Sequence, residues 1–173
     1  MKEILLVIGG CRSGKSEYAI KAAGKIDADP KLLVATCVPQ DDEMMRRVVN
    51  HQKRRGPDWT TLEVPALLPE AISERAVPGA LMVVDCLTLW VSNLLLESED
   101  PDALSDHAAR LTDALAAARC PVVLVSNEVG LGIVPNNRLA RLFRDVAGEV
   151  NAKVAAAADR VVWMVAGIPV RIK

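Results

Sequence analysis

The chain carries almost no net charge: 21 lysines and arginines stand against 22 aspartates and glutamates in 173 residues, which leaves −1 at pH 7. Nucleic acids and anionic membranes are bound through a field of one sign, so neither partner is expected and any basic character must be local. The four cysteines, at 11, 37, 86 and 120, are too far apart for a Cys-x-x-Cys zinc or redox pair. The N-terminus lacks a signal-peptide pattern, and a reducing cytoplasm is the expected setting. The longest apolar stretches are strand-sized and interrupted by charge, so no membrane span is expected. Internal repeats and low-complexity linkers are missing too. With hydrophobic residues at 51%, the composition fits one globular domain over residues 1–173 with a sizeable core.

What the chain does have is a regular alternation of strand-like and helix-like segments. Lys2 to Ile8, Leu32 to Cys37, Ala80 to Asp85, Pro121 to Ser126 and Arg160 to Val165 are apolar runs of strand length, the pattern of strands buried on both faces. Thr60 to Val64 reads as a shorter strand. Helical spacing falls between them, over Ser13 to Ala23, about Asp42 to Arg55, Ala66 to Arg75, and Arg138 to about Ala158. One more runs to Arg119 behind Asp100 as N-cap and Pro101 at the first helical position. The chain closes with a Gly-Ile-Pro turn and a last short strand. Alternating βα units with right-handed crossovers predict an α/β fold, a doubly wound and mostly parallel sheet, with its sites at the carboxyl ends of the strands.

The first of those ends carries GGCRSGKS, residues 9–16, in which Gly9, Gly14, Lys15 and Ser16 satisfy G-x-x-x-x-G-K-[ST] between a strand and a helix. Glycines let backbone amides converge on phosphate oxygens at the positive end of a helix. Lys15 adds a point charge, and the Ser16 hydroxyl can ligate Mg²⁺. The indicated ligand is a nucleoside triphosphate; the plain alternative is a glycine-rich turn with a surface lysine. Asp85, closing LMVVD, has the position of the carboxylate that stands near the magnesium in such sites, unless it serves only to cap the helix that follows. Glu128, in SNEVG, should emerge at the same sheet edge, as a loop carboxylate or as part of the site.

A second stretch, DDEMMRRVVNHQKRRG at 41–56, sets Arg46, Arg47, Lys53, Arg54 and Arg55 around His51. On a helix Met44, Val48, His51 and Arg55 share a face, with Arg47 beside His51. Charge runs usually form solvated faces. The functional reading is a nucleophilic imidazole surrounded by cations that hold a triphosphate in line. His107, on a polar amphipathic stretch, reads as a surface residue.

GGCRSGKS, DDEM with its Arg-Val-x-x-His continuation, and the block from SNEVGLGIVPNN to the C-terminus resemble the bifunctional adenosylcobinamide kinase / adenosylcobinamide-phosphate guanylyltransferase family over essentially the whole chain. The resemblance implies a RecA-like P-loop fold and a homotrimer. It also implies two reactions: phosphorylation of adenosylcobinamide by ATP or GTP, then transfer of GMP from GTP to adenosylcobinamide phosphate through a guanylylated histidine, matched here by His51, with Mg²⁺ as cofactor. GTP contacts implied by position are Gly9, Gly10, Cys11, Arg12, Ser13, Gly14, Lys15 and Ser16 in the loop, then Ala35, Thr36 and Cys37. Further along, Gln52, Lys53, Arg54 and Arg55 follow the histidine, and Glu63 and Asp85 complete the set. Lys15 and His51 are the implied catalytic residues, and Ser16 and Asp85 the metal ligands. Cys11 and Cys37 stand where alanine and serine are expected, and Gln52 where arginine is frequent; Cys11 reads as a small buried filler.

Overall fold

The computed structural model describes residues 2–39 and 58–173, so the helix expected over 42–55 lies outside it. Seven strands form one sheet: β1 (Ile4–Gly9), β2 (Lys31–Ala35), β3 (Trp59–Glu63), β4 (Leu81–Asp85), β5 (Val122–Asn127), β6 (Arg160–Val165) and β7 (Ile168–Arg171). Their order across the sheet is β3-β2-β4-β5-β1-β6-β7. Every pairing is parallel except that of β6 with β7. The crossovers are made by α1 (Lys15–Ala23), α2 (Leu68–Arg75), α3 (Leu87–Glu97), α4 (Pro101–Ala117) and α5 (Arg138–Ala157).

The apolar runs are uninterrupted because both sheet faces are covered. Along β1, Ile4 and Leu6 join Val122 and Leu124 of β5 in the larger core, under Ile72 of α2, Trp90 of α3, Leu111 of α4 and Val150 of α5. The alternate residues Leu5 and Val7 join Val123 and Val125 in a smaller core under Ala19 and Ala23 of α1. Trp90 is fully buried and its indole donates to the Ala66 carbonyl at 2.7 Å. Truncating it to alanine would cost about 3–5 kcal/mol through the cavity left behind. α4 and α5 begin where the sequence places them, with Asp100 accepting from the Asp102 amide and Asn137 from that of Ala140.

The C-terminal turn differs from expectation. It is made by Ala166 and Gly167, with φ of 50° and 86°, the paired positive values that a two-residue hairpin requires. Ile168 and Pro169 belong to β7 instead. Proline is tolerated there because β7 is an edge strand with an unpaired side.

Candidate nucleotide site

The functional residues gather because parallel strands end together. Across the sheet, Glu63 of β3 is level with Ala35 of β2, Ala35 with Asp85 of β4, and Asp85 with Val125 of β5. Two residues further along β5, Asn127 is level with Gly9 of β1, and Gly9 with Met164 of β6. Glu63, Ala35, Asp85 and the loop that follows Gly9 thus line one carboxyl edge, where parallel α/β sheets place their ligand sites.

Between β1 and α1 the chain makes a tight loop. A side chain at Gly9 would put its Cβ 2.6 Å from the Met164 carbonyl oxygen, so β6 itself enforces glycine. Gly14 is the N-cap of α1 in the left-handed region (φ 86°, ψ 11°) and, being glycine, has no side chain with which to cap the helix start. That contrasts with α4 and α5, whose first amides are occupied by Asp100 and Asn137. The open amides, together with the helix dipole, form the anion-binding half of the site. Lys15 and Ser13 are buried, Ser16 is half-buried, and Gly10, Cys11 and Arg12 are exposed, Arg12 with φ 54°. Cys11 is therefore no buried filler: its loop projects past the sheet edge and leaves the thiol in solvent.

The Lys15 ammonium donates to the Gly10 carbonyl at 2.6 Å and reaches Ser13 Oγ at 3.5 Å, which holds it over the loop. Burial pushes its pKa down, and the charges of Cys86, Cys11 and Asp85 pull it partly back. Asp85 is half-buried at the end of β4. The N-cap position of α3 is held by the next residue, Cys86, in an extended conformation.

Thr36, fully buried just past β2, ties this side of the edge together. Its hydroxyl donates to the Cys86 carbonyl at 2.7 Å and accepts from the Cys86 amide at 2.9 Å. Asn93 of α3 donates to the Thr36 carbonyl at 2.8 Å and to that of Pro65 at 2.9 Å. Cys37 is half-buried, its thiol pushed up by burial and by the Asp85 charge. Glu63 is exposed at the end of β3. His51, Gln52, Lys53, Arg54 and Arg55 lie outside the described residues.

Sequence reasoning passed over Thr88, Asn93 and Asn151. Thr88 Oγ1 accepts from the Asn127 amide at 2.7 Å, and Asn151 of α5 donates to the Asn127 carbonyl at 3.1 Å, which fixes the end of β5. Only the motif-like segments draw notice in a sequence, and these three sit in helices. Glu128 does emerge at the edge: its amide donates to the Gly9 carbonyl at 3.0 Å, and its carboxylate accepts from the Gly130 amide at 2.9 Å. His107 is not a surface residue. It is half-buried, with its ring edge-on to Trp90 at 6.4 Å between centroids, because Trp90 fills the space under α4.

Ser16 and Asp85 offer a hydroxyl and a carboxylate, hard oxygen donors that suit Mg²⁺. Among the described residues no group of three His, Cys, Asp or Glu side chains could hold a metal unaided. That fits a cation bound through one or two protein oxygens and completed by phosphate oxygens and water.

Among the described residues no helix is long and apolar enough to cross a membrane. The RadB recombinase shares the fold at a TM-score of 0.55 and 15% identity, over 93% of this chain and 73% of that one. Two proteins named bifunctional adenosylcobalamin biosynthesis protein CobU are much nearer in sequence. The one from Salmonella typhimurium is 44% identical and the one from Escherichia coli 43%, each over 98% of this chain and 99% of the relative. The sequence profile of the cobinamide kinase / cobinamide phosphate guanyltransferase family matches residues 5–172. Matched from β1 to past β7, the chain belongs to that family.

Proposed function

We propose that this chain, as a single domain, carries out both reactions of its family on one phosphate-binding loop. It would phosphorylate adenosylcobinamide with ATP or GTP, and then transfer GMP from GTP to the resulting phosphate. The observation that carries the reading is the near-complete family match falling on a loop whose helix start is left uncapped and whose lysine is buried beside Asp85.

In the first reaction the hydroxyl of the substrate's aminopropanol arm attacks the γ-phosphorus, the bond to the bridging oxygen breaks, and the nucleoside diphosphate leaves. The loop amides and Lys15 stabilise charge on the phosphoryl oxygens, which is mostly positioning and electrostatics. Mg²⁺, held by Ser16 and Asp85, supplies further neutralisation when bound. In the second reaction a neutral His51 ring nitrogen attacks the α-phosphorus of GTP and pyrophosphate leaves. A phosphate oxygen of adenosylcobinamide phosphate then displaces the imidazole, giving adenosylcobinamide-GDP and free histidine. Two transfers replace one displacement between poor nucleophiles. Gln52, Lys53, Arg54 and Arg55 are the cations and polar group assigned to the triphosphate, with Ala35, Thr36, Cys37 and Glu63 on the nucleotide's other contacts.

The free state of all four cysteines supports a reducing, cytoplasmic setting. The exposed Trp163 of β6, Ile168 and Val170 of β7, and Ile172 just past it support assembly as a homotrimer, which light scattering would measure as three chain masses. The activity is tested by incubating the protein with adenosylcobinamide, GTP and Mg²⁺ and weighing the products. Adenosylcobinamide phosphate followed by adenosylcobinamide-GDP is expected. Accumulation of the phosphate alone leaves a single-activity kinase, and no product at all leaves a nucleotide-binding module.

A further inference from the structure

Next to the phosphate loop, on the side away from β2 and β3, the molecule has a cleft of about 600 Å³ between α1 and the β6–β7 hairpin, a size in the range of small-ligand sites. Gly14, the residue at which α1 opens, is part of its lining and joins it to the loop. Met164 and Pro169 give it an apolar floor, and Tyr18 and Ala22 form a wall along α1. The charged lining is three cations, Lys21, Lys25 and Arg160, against one carboxylate, Glu17. Arg160 stands at the start of β6, the end of the cleft away from the loop; its buried Nε has no hydrogen-bond partner among the described residues, although another of its nitrogens lies 3.4 Å from Glu3.

We propose that this cleft seats the purine and ribose of the nucleoside triphosphate acting as phosphoryl donor, while its phosphates lie in the adjoining loop. The inference rests on the nucleotide-site reading above and deepens it. A cleft that sets the Tyr18 ring, Met164 and Pro169 beside N–H donors suits a purine, which has two π-faces and an edge of ring-nitrogen acceptors. Position decides which reaction the seat serves. β6 lies on one side of β1, whereas the residues assigned to the guanylyl donor, Ala35 to Cys37 and Glu63, come from β2 and β3 on the other. A triphosphate spanning one loop can place its nucleoside on only one of those sides. With the nucleoside in the cleft, the phosphates enter at Gly14 and the γ-phosphoryl is carried toward Lys15, Asp85 and the free edge at Glu128, where an acceptor hydroxyl can approach. With the nucleoside on the far side, it is the α-phosphate that meets the β2–β3 end. One loop with two nucleoside seats thereby separates γ- from α-phosphorus chemistry.

Two measurements on the full chain test this. In the first, binding of ATP and of inorganic tripolyphosphate is compared for the native protein, Ala22→Phe and Lys15→Ala. Ala22→Phe puts a ring into the slot and is expected to weaken ATP about tenfold or more, on the scale of one lost base-stacking contact. Tripolyphosphate should bind that variant as before, which also shows it folded. Lys15→Ala should weaken both ligands. Unchanged ATP binding in Ala22→Phe, with both ligands lost in Lys15→Ala, overturns the cleft alone. A native protein that binds neither ligand overturns the nucleotide site itself. In the second, 8-azido-ATP is photolysed on the native protein and the labelled peptide sequenced. A label within residues 14–25 or 160–169 supports the proposal, and a label on 58–66 or elsewhere overturns it.

Discussion

The two sides of the phosphate loop are built by opposite means. Toward β2, β3 and β4, backbone and side chains are joined by buried hydrogen bonds: Thr36 grips both polar groups of Cys86, and Asn93 clamps the strand ends from α3. Toward β6 and β7 the wall is a helix face, the side chains of Met164 and Pro169, and a charged rim of three cations and one carboxylate. A reacting phosphorus has to be held to a fraction of an ångström, and buried, mutually satisfied polar groups supply that rigidity. A base needs only a slot of the right thickness. The lesson is that the polar side suits chemistry and the apolar side suits recognition.

The largest test of that contrast removes what both sides share. Lys15→Ala should lower kcat/KM of the kinase reaction by about 10²–10³, the usual cost of deleting one preorganised charge partner. Guanylyl transfer should fall with it, since one loop serves both; a normal guanylyl rate with a failed kinase breaks the shared-loop account. Next comes Gly9→Ala. Its Cβ meets a backbone carbonyl at 2.6 Å, so β6 or the loop has to shift, and a loss of about 2–4 kcal/mol is expected from denaturant unfolding. A variant with unchanged stability and ATP affinity would show that β6 does not set the loop's shape.

Thr36→Val sharpens the comparison, because it keeps the shape and deletes two hydrogen bonds on the polar side alone. Leaving the buried Cys86 amide and carbonyl unpaired should cost about 1–3 kcal/mol and slow guanylyl transfer more than it weakens ATP. Equal damage to both would mean that the sides are not independent. The smallest effect is a pH dependence on the same side. Burial, with the Asp85 charge, raises the Cys86 thiol from 9.0 to about 11. A group whose pKa is higher in the folded state contributes stability that is complete below the unfolded value and is lost as pH rises toward the folded one. Between pH 8 and pH 10 the loss from Cys86 should be on the order of 1 kcal/mol. Urea midpoints at the two pH values should therefore converge in Cys86→Ala relative to the native chain; an identical pH slope in both proteins would refute the assignment.

The fold was legible wherever local chemistry is repetitive. The parallel strands inside the edge strand β3 announced themselves as aliphatic runs because both faces are buried, and α4 and α5 through their caps. α3 was hidden for the opposite reason: Leu87, Trp90, Val91 and Leu94 form its buried face, but Leu89 and the exposed Leu96 carry apolar residues onto the outer positions as well, which blurs the polar face that marks an amphipathic helix. The hairpin turn was drawn over 167–169 instead of 166–167 because Gly-Ile-Pro carries stronger turn signals than Ala-Gly, and edge-strand geometry decided otherwise. At the site, GGCRSGKS and Asp85 were visible as motifs, since phosphate binding constrains residue types at fixed spacing. The Thr36, Asn93 and Thr88 contacts were not. They join residues 28–57 positions apart in sequence, and nothing in a single chain's spacing encodes such pairs. The cleft was invisible for the same reason, being made by α1 and a hairpin more than 130 residues downstream.

The account turns on one phosphate loop serving two phosphorus atoms, with His51 acting on only one of them. The most direct measurement gives the native protein and His51→Ala GTP labelled at the α- or the γ-phosphorus, in the presence of adenosylcobinamide. The account predicts an acid-labile, base-stable α-label on the native protein that His51→Ala lacks, while γ-label still passes to adenosylcobinamide in both. An α-label that persists in the variant, or a γ-transfer that disappears with it, would contradict the account.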